Sequence, residues 1–136
     1  NVRKLAERYE LRNVEFIGRV PLSELNVYMA EADVALGIFG DTPKASRVIP
    51  NKVYEGMSAE RAVITMDTPA VREIFSGGEL LLVQNNPRSI ADAIKMLSRN
   101  ESMRANLAHK GFIAVQKYLP QSVAESLINI LSKYVK

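Results

Sequence analysis

Two stretches constrain this chain most: "DVALGIF" (33–39) and "AVITM" (62–66). Each is a nearly unbroken apolar run of strand length. A strand with one wet face alternates apolar and polar residues. An unbroken run suits a strand buried on both faces, the pattern of parallel sheets. "ELLLV" (79–83) and "NVEFIG" (13–18), the latter ending in glycine, read as two further strands. Helical stretches separate the four. "PLSELNVYMAEA" (21–32) opens on proline, which suits a first helical turn. "NKVYEGMSAE" (51–60) and "PAVREIF" (69–75) also read as helices, and "SGG" (76–78) breaks the second. The Gly, Asp and Pro of "GDTPKASRVIP" (40–50) predict a loop. Strands alternating with helices predict an α/β fold, a doubly wound parallel sheet with helices on both faces.

The two ends read as helical. Val2, Leu5, Ala6 and Tyr9 recur at helical spacing. Ile90, Ala93, Ile94 and Leu97 form one face after Pro87, and Met103, Leu107, Gly111, Ala114 and Tyr118 another. Pro120 is expected to stop that helix. Ser122 and Glu125 have capping-box spacing ahead of Leu127, Ile130, Leu131 and Tyr134. The last third is therefore expected to be all helix.

Composition removes several classes of function. The 136 residues suit one domain with one core. There is no cysteine, so no disulfide framework and no thiolate metal site. The one histidine, His109, builds neither a histidine metal site nor a dyad, and its setting predicts an exposed helix position. No metal and no other cofactor is expected. Asp41 reads as a turn residue, Phe39 and Tyr54 as core. No apolar stretch approaches the ~20 residues of a membrane span. Charge is uneven: residues 1–83 hold 10 Lys/Arg against 12 Asp/Glu, residues 84–136 hold 8 against 3. That excess leaves open a peripheral contact with an anionic membrane, or simple solvation of helix faces. No basic stripe with interleaved aromatics is present, so no nucleic-acid partner is expected.

The stretch "RVIPNKVYEGMSAERAVI" (47–64) carries the candidate chemistry. Pro50 sits just before a helix that bears Asn51, Lys52 and Glu55. It follows the 33–39 strand, and in open α/β sheets ligands bind outside the carboxyl ends of strands. Free N–H groups at a helix start, together with an ammonium, suit an anion. A carboxylate only accepts hydrogen bonds, which suits a diol. The plain alternative is a Lys52–Glu55 surface pair three residues apart, worth ~0.2–0.5 kcal/mol.

The order of "NVEFIGRVPLSELNVYMAEADVALGIF", "PNKVYEGMSAERAVIT", "TPAVREIF" and "LLLVQNNPRSIADAIKML" resembles the C-terminal, donor-binding domain of GT-B glycosyltransferases, and more narrowly the family 4 retaining group. The resemblance implies a Rossmann-like domain whose first strand, with its phosphate-contacting cations, would precede Asn1. It implies that residues 1–136 are the nucleotide-sugar-binding part of a longer polypeptide, the N-terminal acceptor domain lying outside it. Glu55 matches the second glutamate of the family's E-x7-E motif, which receives the ribose hydroxyls. Asn51 and Lys52 match the diphosphate side. Gly18, Arg19 and Val20 match the turn that approaches the base, where glycine permits close approach. Two departures stand out. Arg47 occupies the place of the first motif glutamate, eight positions before Glu55. Glu60, Arg61 and Ala62 replace the usual Gly-x-Pro. A guanidinium at 47 suits a diphosphate or a carboxylate on the sugar.

The function implied is transfer of a hexosyl group from a nucleotide-diphosphate sugar to an acceptor hydroxyl, with retention. The implied partners are the donor and the acceptor domain. No catalytic residue is assigned within this chain, and the isolated chain is expected to be inactive. The expected location is cytoplasmic, at the inner face of a membrane if the basic third touches one. Two other readings stay open: a non-catalytic module for nucleotides or sugar phosphates, and an α/β interaction domain without a small ligand.

Overall fold

The computed structural model describes residues 2–134. Three parallel strands form one sheet: β1 (Val34–Leu36), β2 (Ala62–Met66) and β3 (Leu81–Val83), in spatial order β1-β2-β3. Between them run α3 (Pro43–Arg47), α4 (Asn51–Ser58) and α5 (Pro69–Ile74). Before them come α1 (Val2–Arg8) and α2 (Leu22–Glu31). After them come α6 (Pro87–Arg99), α7 (Glu101–Val115), a 3-10 turn at Gln116–Tyr118 and α8 (Pro120–Leu131).

β2 holds the centre, and all five of its residues are buried. Ala62 lies opposite Val34, and Ile64 lies between Leu36 and Leu81. Successive strand residues point to opposite faces, so β2 feeds two cores. Val63 and Ala35 join Val53, Met57, Val71, Phe75, Leu80 and Val115 under α4, α5 and the end of α7. Ala62 and Ile64 join Ala93, Leu97 and Leu107 under α6 and the middle of α7. The sheet is thus covered on both faces, as its unbroken apolar runs require.

Two glycines set how closely the layers approach. A Cβ on Gly56 would come within 2.8 Å of Ala35 Cβ, so this position lets α4 lie directly on the sheet. A Cβ on Gly37 would come within 2.4 Å of Thr65 Oγ1 and 2.9 Å of a Val53 methyl. Beyond β1 the ladder continues informally. Gly37 N donates to Ile64 O at 2.8 Å, Met66 N to Ile38 O at 3.1 Å, and Ile38 N to the buried Thr65 Oγ1 at 3.3 Å. The expected run 33–39 is therefore largely extended, although only its middle is regular strand. At "SGG" the Glu79 carboxylate accepts from Ser76 Oγ (2.7 Å), Gly77 N (3.0 Å) and Gly78 N (2.9 Å).

Three expectations need correction. Residues 13–18 form no strand; the sheet has three strands, not four. A strand needs a neighbour for its N–H and C=O groups. This segment is instead held against α1, where Arg3 donates to Phe16 O (3.4 Å) and lies 4.9 Å over its ring. Residues 40–50 include a helix, α3, whose start Thr42 caps by accepting from Ala45 N at 3.2 Å. The capping box at Ser122 and Glu125 does not form. Pro120 already opens α8, and Ser122 Oγ donates to Gln116 O at 2.8 Å. Among the described residues no helix is long and apolar enough to cross a membrane.

Candidate functional site

Parallel strands put their carboxyl ends, at Leu36, Met66 and Val83, on one edge of the sheet. α4 runs back from that edge, so its first turn lies there. Most helices with polar first residues close their free N–H groups internally. Thr42 caps α3, Thr68 caps α5, Asn86 caps α6 and Asn100 caps α7. α4 is different. Its cap residue is Pro50, which has no side-chain acceptor to offer, and no side chain closes the turn. Val53 N reaches Pro50 O at 2.9 Å, and the first-turn N–H groups of Asn51 and Lys52 have no acceptor within the helix.

The helix divides its residues by face. Val53, Gly56 and Met57 are buried against the sheet. Asn51, Tyr54, Glu55, Ser58 and Ala59 instead line a groove of about 810 Å³. Its other walls are Asn26 and Ala30 of α2 and the segment from Val115 to Val123, including Tyr118. Tyr54, Phe75 and Tyr118 meet as an aromatic trio with ring centres 5.8 to 6.1 Å apart. Burial, and then the neighbouring Tyr118, push the Tyr54 hydroxyl above its ordinary pKa. It stays a neutral donor at physiological pH. Among the described residues no ion pair joins Lys52 to Glu55, so the simple surface-pair reading has no support.

The candidate residues separate into groups. Asn51 and Glu55 share the groove. Pro50 starts the helix, and Lys52 is exposed on another side of it. Arg47 ends α3 on the connection leading to the same helix start. Gly18, Arg19 and Val20 do not line the groove; a Cβ added to Gly18 would have nothing within 4 Å, and Val20 is half-buried. Tyr54 is partly buried on the main core and also forms groove wall; Phe39 packs partly buried on the second core. Asp41 accepts a hydrogen bond from Asn85, tying the loop after β1 to the loop after β3. His109 is exposed, 3.4 Å from Glu60.

Sequence reasoning missed Asn26 and Tyr118 as groove walls. They come from elements about 90 residues apart, and no local pattern links them. It also missed the groove role of Tyr54, although the spacing 51, 54, 55, 58 opposite 53, 56, 57 places it there.

The family model for glycosyl transferases group 1 matches residues 1–100. The chain belongs to this family. Among curated proteins none matches the sequence. Among solved structures, a sucrose-phosphate synthase from Thermosynechococcus elongatus matches with a TM-score of 0.74 at 19% identity. The match covers 98% of this group 1 chain and 33% of the synthase, so the chain spans about a third of that protein. At that identity the likeness speaks for the fold, an α/β Rossmann-like sheet. The family-level resemblance read from the sequence holds.

Proposed function

We propose that this group 1 chain is the donor-binding part of a GT-B glycosyltransferase that retains configuration and moves a hexosyl group from a nucleotide diphosphate to an acceptor hydroxyl. The observation that carries this reading is the pairing of an uncapped helix start with a carboxylate one turn further on, both beside one groove. In this arrangement Glu55 accepts from the ribose hydroxyls. The N–H groups of Asn51 and Lys52, with the Lys52 ammonium, meet the diphosphate. Arg47 stands beyond them on the approach to the helix.

The chemistry follows from where charge develops. As the glycosidic bond breaks, the departing diphosphate gains negative charge. Fixed N–H groups and cations aimed at that oxygen stabilise the transition state more than the ground state. Glu55 is a binding group and does not attack the sugar. The acceptor domain, on residues outside this chain, brings in the hydroxyl; such positioning lowers barriers by ~7–11 kcal/mol in favourable cases. The 136-residue chain alone then transfers no sugar. A cytoplasmic site of action belongs to the same reading. So does membrane contact through the basic third, where Ile113 is exposed between Lys110 and Lys117.

The test is an NMR titration of the 136-residue chain with UDP, GDP and ADP. Shifts are expected at Asn51, Lys52, Tyr54 and Glu55. Glu55→Ala should weaken binding by ~1.5–3 kcal/mol, as for a hydrogen bond to a charged group. Unmoved signals along α4 at millimolar ligand would discard the reading.

A further inference from the structure

Among the described residues the sheet ends at β3, whose outer edge has no neighbouring strand. Asp67 N donates to Val83 O at 2.9 Å, and Val83 lies opposite Met66. Along a strand in a parallel ladder, residues that bond toward one side alternate with residues that face the other. Val83 and Leu81 therefore bond toward β2, and the N–H and C=O of Leu82 point off the edge. Natural edges are often guarded by charged side chains or proline. Residues 80–83 read "LLLV" and carry neither. Glu79, just before them, is held by its own turn. A second groove, of about 360 Å³, runs along this edge. Consecutive residues from Leu81 to Gln84 line it, as an edge allows and a face does not, since each face takes alternate residues. Its other wall is one side of α6, formed by Ser89, Asp92, Ala93 and Met96 at helical spacing.

We infer that this groove takes an extended peptide as a fourth strand, with a basic side chain beside Asp92 and an apolar one beside Met96. The outward N–H and C=O of Leu82 call for another backbone. A strand added to a sheet edge satisfies them through main-chain bonds and takes its specificity from alternate side chains. Asp92 is the charged residue lining the groove. Its ion partner Arg88 stands 3.9 Å away with both side chains largely exposed, a weak pairing that leaves the carboxylate lone pairs to accept from a second cation. Ala93 and Met96 supply the apolar part of the wall, and Met96 is 41% exposed. Asp92 and Met96 are four residues apart, about 6 Å along the helix axis. Two strand residues at about 3.3 Å each span the same length. The basic and the apolar residue of the peptide therefore stand two positions apart, on the face turned to α6. A single strand fits here better than a second copy of this chain, which would bring its own α6 against an edge that α6 already walls. The groove shares no lining residue with the one beside α4, so this site and the donor site stand or fall separately.

The experiment is an NMR titration of the 136-residue chain with the acetylated, amidated peptide TKTVTKT. Its lysines flank a valine at alternate positions, so it fits either strand direction, and threonine between them favours an extended chain. A matched peptide, TETVTET, carries glutamate in place of lysine. Millimolar TKTVTKT should shift the amides of Leu81–Gln84 and Ser89–Met96 and slow exchange at Leu82 N–H. TETVTET should bind at least about tenfold more weakly, as for one charge-assisted contact. Asp92→Lys changes an exposed position on α6 and should abolish that preference. Leu82→Pro removes an N–H that the ladder to β2 does not use, a place where an edge strand accepts proline. It should end binding of both peptides. Leu82 also packs at the margin of the main core, so a thermal melt checks the fold of that variant. If its transition is lost, the preference and its loss in Asp92→Lys decide alone. Unmoved signals along 81–84, equal binding of the two peptides, or a preference that survives Asp92→Lys would overturn the inference. So would protection of Leu82 N–H that rises with protein concentration in the absence of peptide, because a second copy would then cover the edge.

Discussion

The central sheet and the first 32 residues both carry apolar periodicity and have opposite fates. β2 buries every residue, whereas α2 buries none and α1 buries only Ala6. Leu5, Tyr9, Val14, Ile17, Leu22 and Val27 are all exposed. The difference lies in neighbours. β2 has a strand on each edge and helices on each face; the leading segment has little to lie against. Apolar spacing states what a segment could bury, and burial needs a partner surface. The candidate groove straddles the two regimes. Asn51, Tyr54 and Glu55 stand on a helix anchored by Val53 and Met57, both fully buried. Asn26 and Ala30 face them from the loosely held α2. One wall of the site is anchored in the core; the other stands on a helix that buries no residue and meets the core through Met29 alone among its half-buried apolar side chains packed there.

The largest expected effect tests this contrast with one glycine from each region. Gly37→Val should be severe, because its Cβ would press on Thr65 and Val53 inside the core. Overpacking of this kind costs about 3 kcal/mol, which lowers the melting temperature of a chain this size by roughly 10 °C. Gly18→Val meets open space and should stay within about 0.5 kcal/mol. Thermal melts of both variants decide. A similar loss at Gly18 would mean that residues 13–20 are packed as tightly as the sheet.

The same contrast explains what was legible in the sequence. β2 and α4 could be read because local pattern and tertiary setting agree: an unbroken apolar run lies at the centre, and the helix has a clear core face at 53, 56 and 57. "NVEFIG" misled because strand propensity alone does not supply a ladder. Ser122–Glu125 misled because Pro120, two residues earlier, can begin the helix itself. Half of the site was readable, since Asn51, Lys52 and Glu55 lie within five residues. The far walls at Asn26 and Tyr118 meet α4 only through the fold.

A middle-sized effect should appear within the groove. Glu55 offers a carboxylate from the anchored wall, and Asn26 offers a neutral amide from the wall that buries no residue. If α2 adjusts, Asn26→Ala should weaken nucleotide diphosphate binding by no more than ~0.5–1.5 kcal/mol, against ~1.5–3 for Glu55→Ala. Calorimetry on the two single variants measures both. Equal losses would show the two walls to be equally organised before ligand arrives. Hydrogen exchange gives an independent reading: amides of Val63–Met66 should open only with global unfolding, and those of α2 far sooner.

The smallest effect concerns a seam of the anchored region. Glu79 closes the turn before β3, and its backbone oxygen abuts α7, where a Cβ on Gly111 would lie 2.8 Å from it. Burial raises the pKa of the Glu79 carboxyl. The hydrogen bonds from Ser76 Oγ and from the backbone N–H groups outweigh that and hold it below its ordinary 4.5. A carboxylate with a depressed folded pKa contributes stability above its unfolded value, and that contribution is lost as pH falls through the folded one. Glu79→Gln should therefore cost roughly 0.5–1 kcal/mol at pH 7 once solvent screening is allowed for. The gap between variant and wild type should close as pH drops below about 4.5, where both come to carry a neutral side chain. Denaturant melts of the two proteins from pH 7 to pH 3 measure it. A gap that stays constant with pH would mean that the turn depends on the shape of residue 79 and not on its charge. The packed region would then owe its seam to van der Waals fit alone, as it does at Gly37 and Gly56.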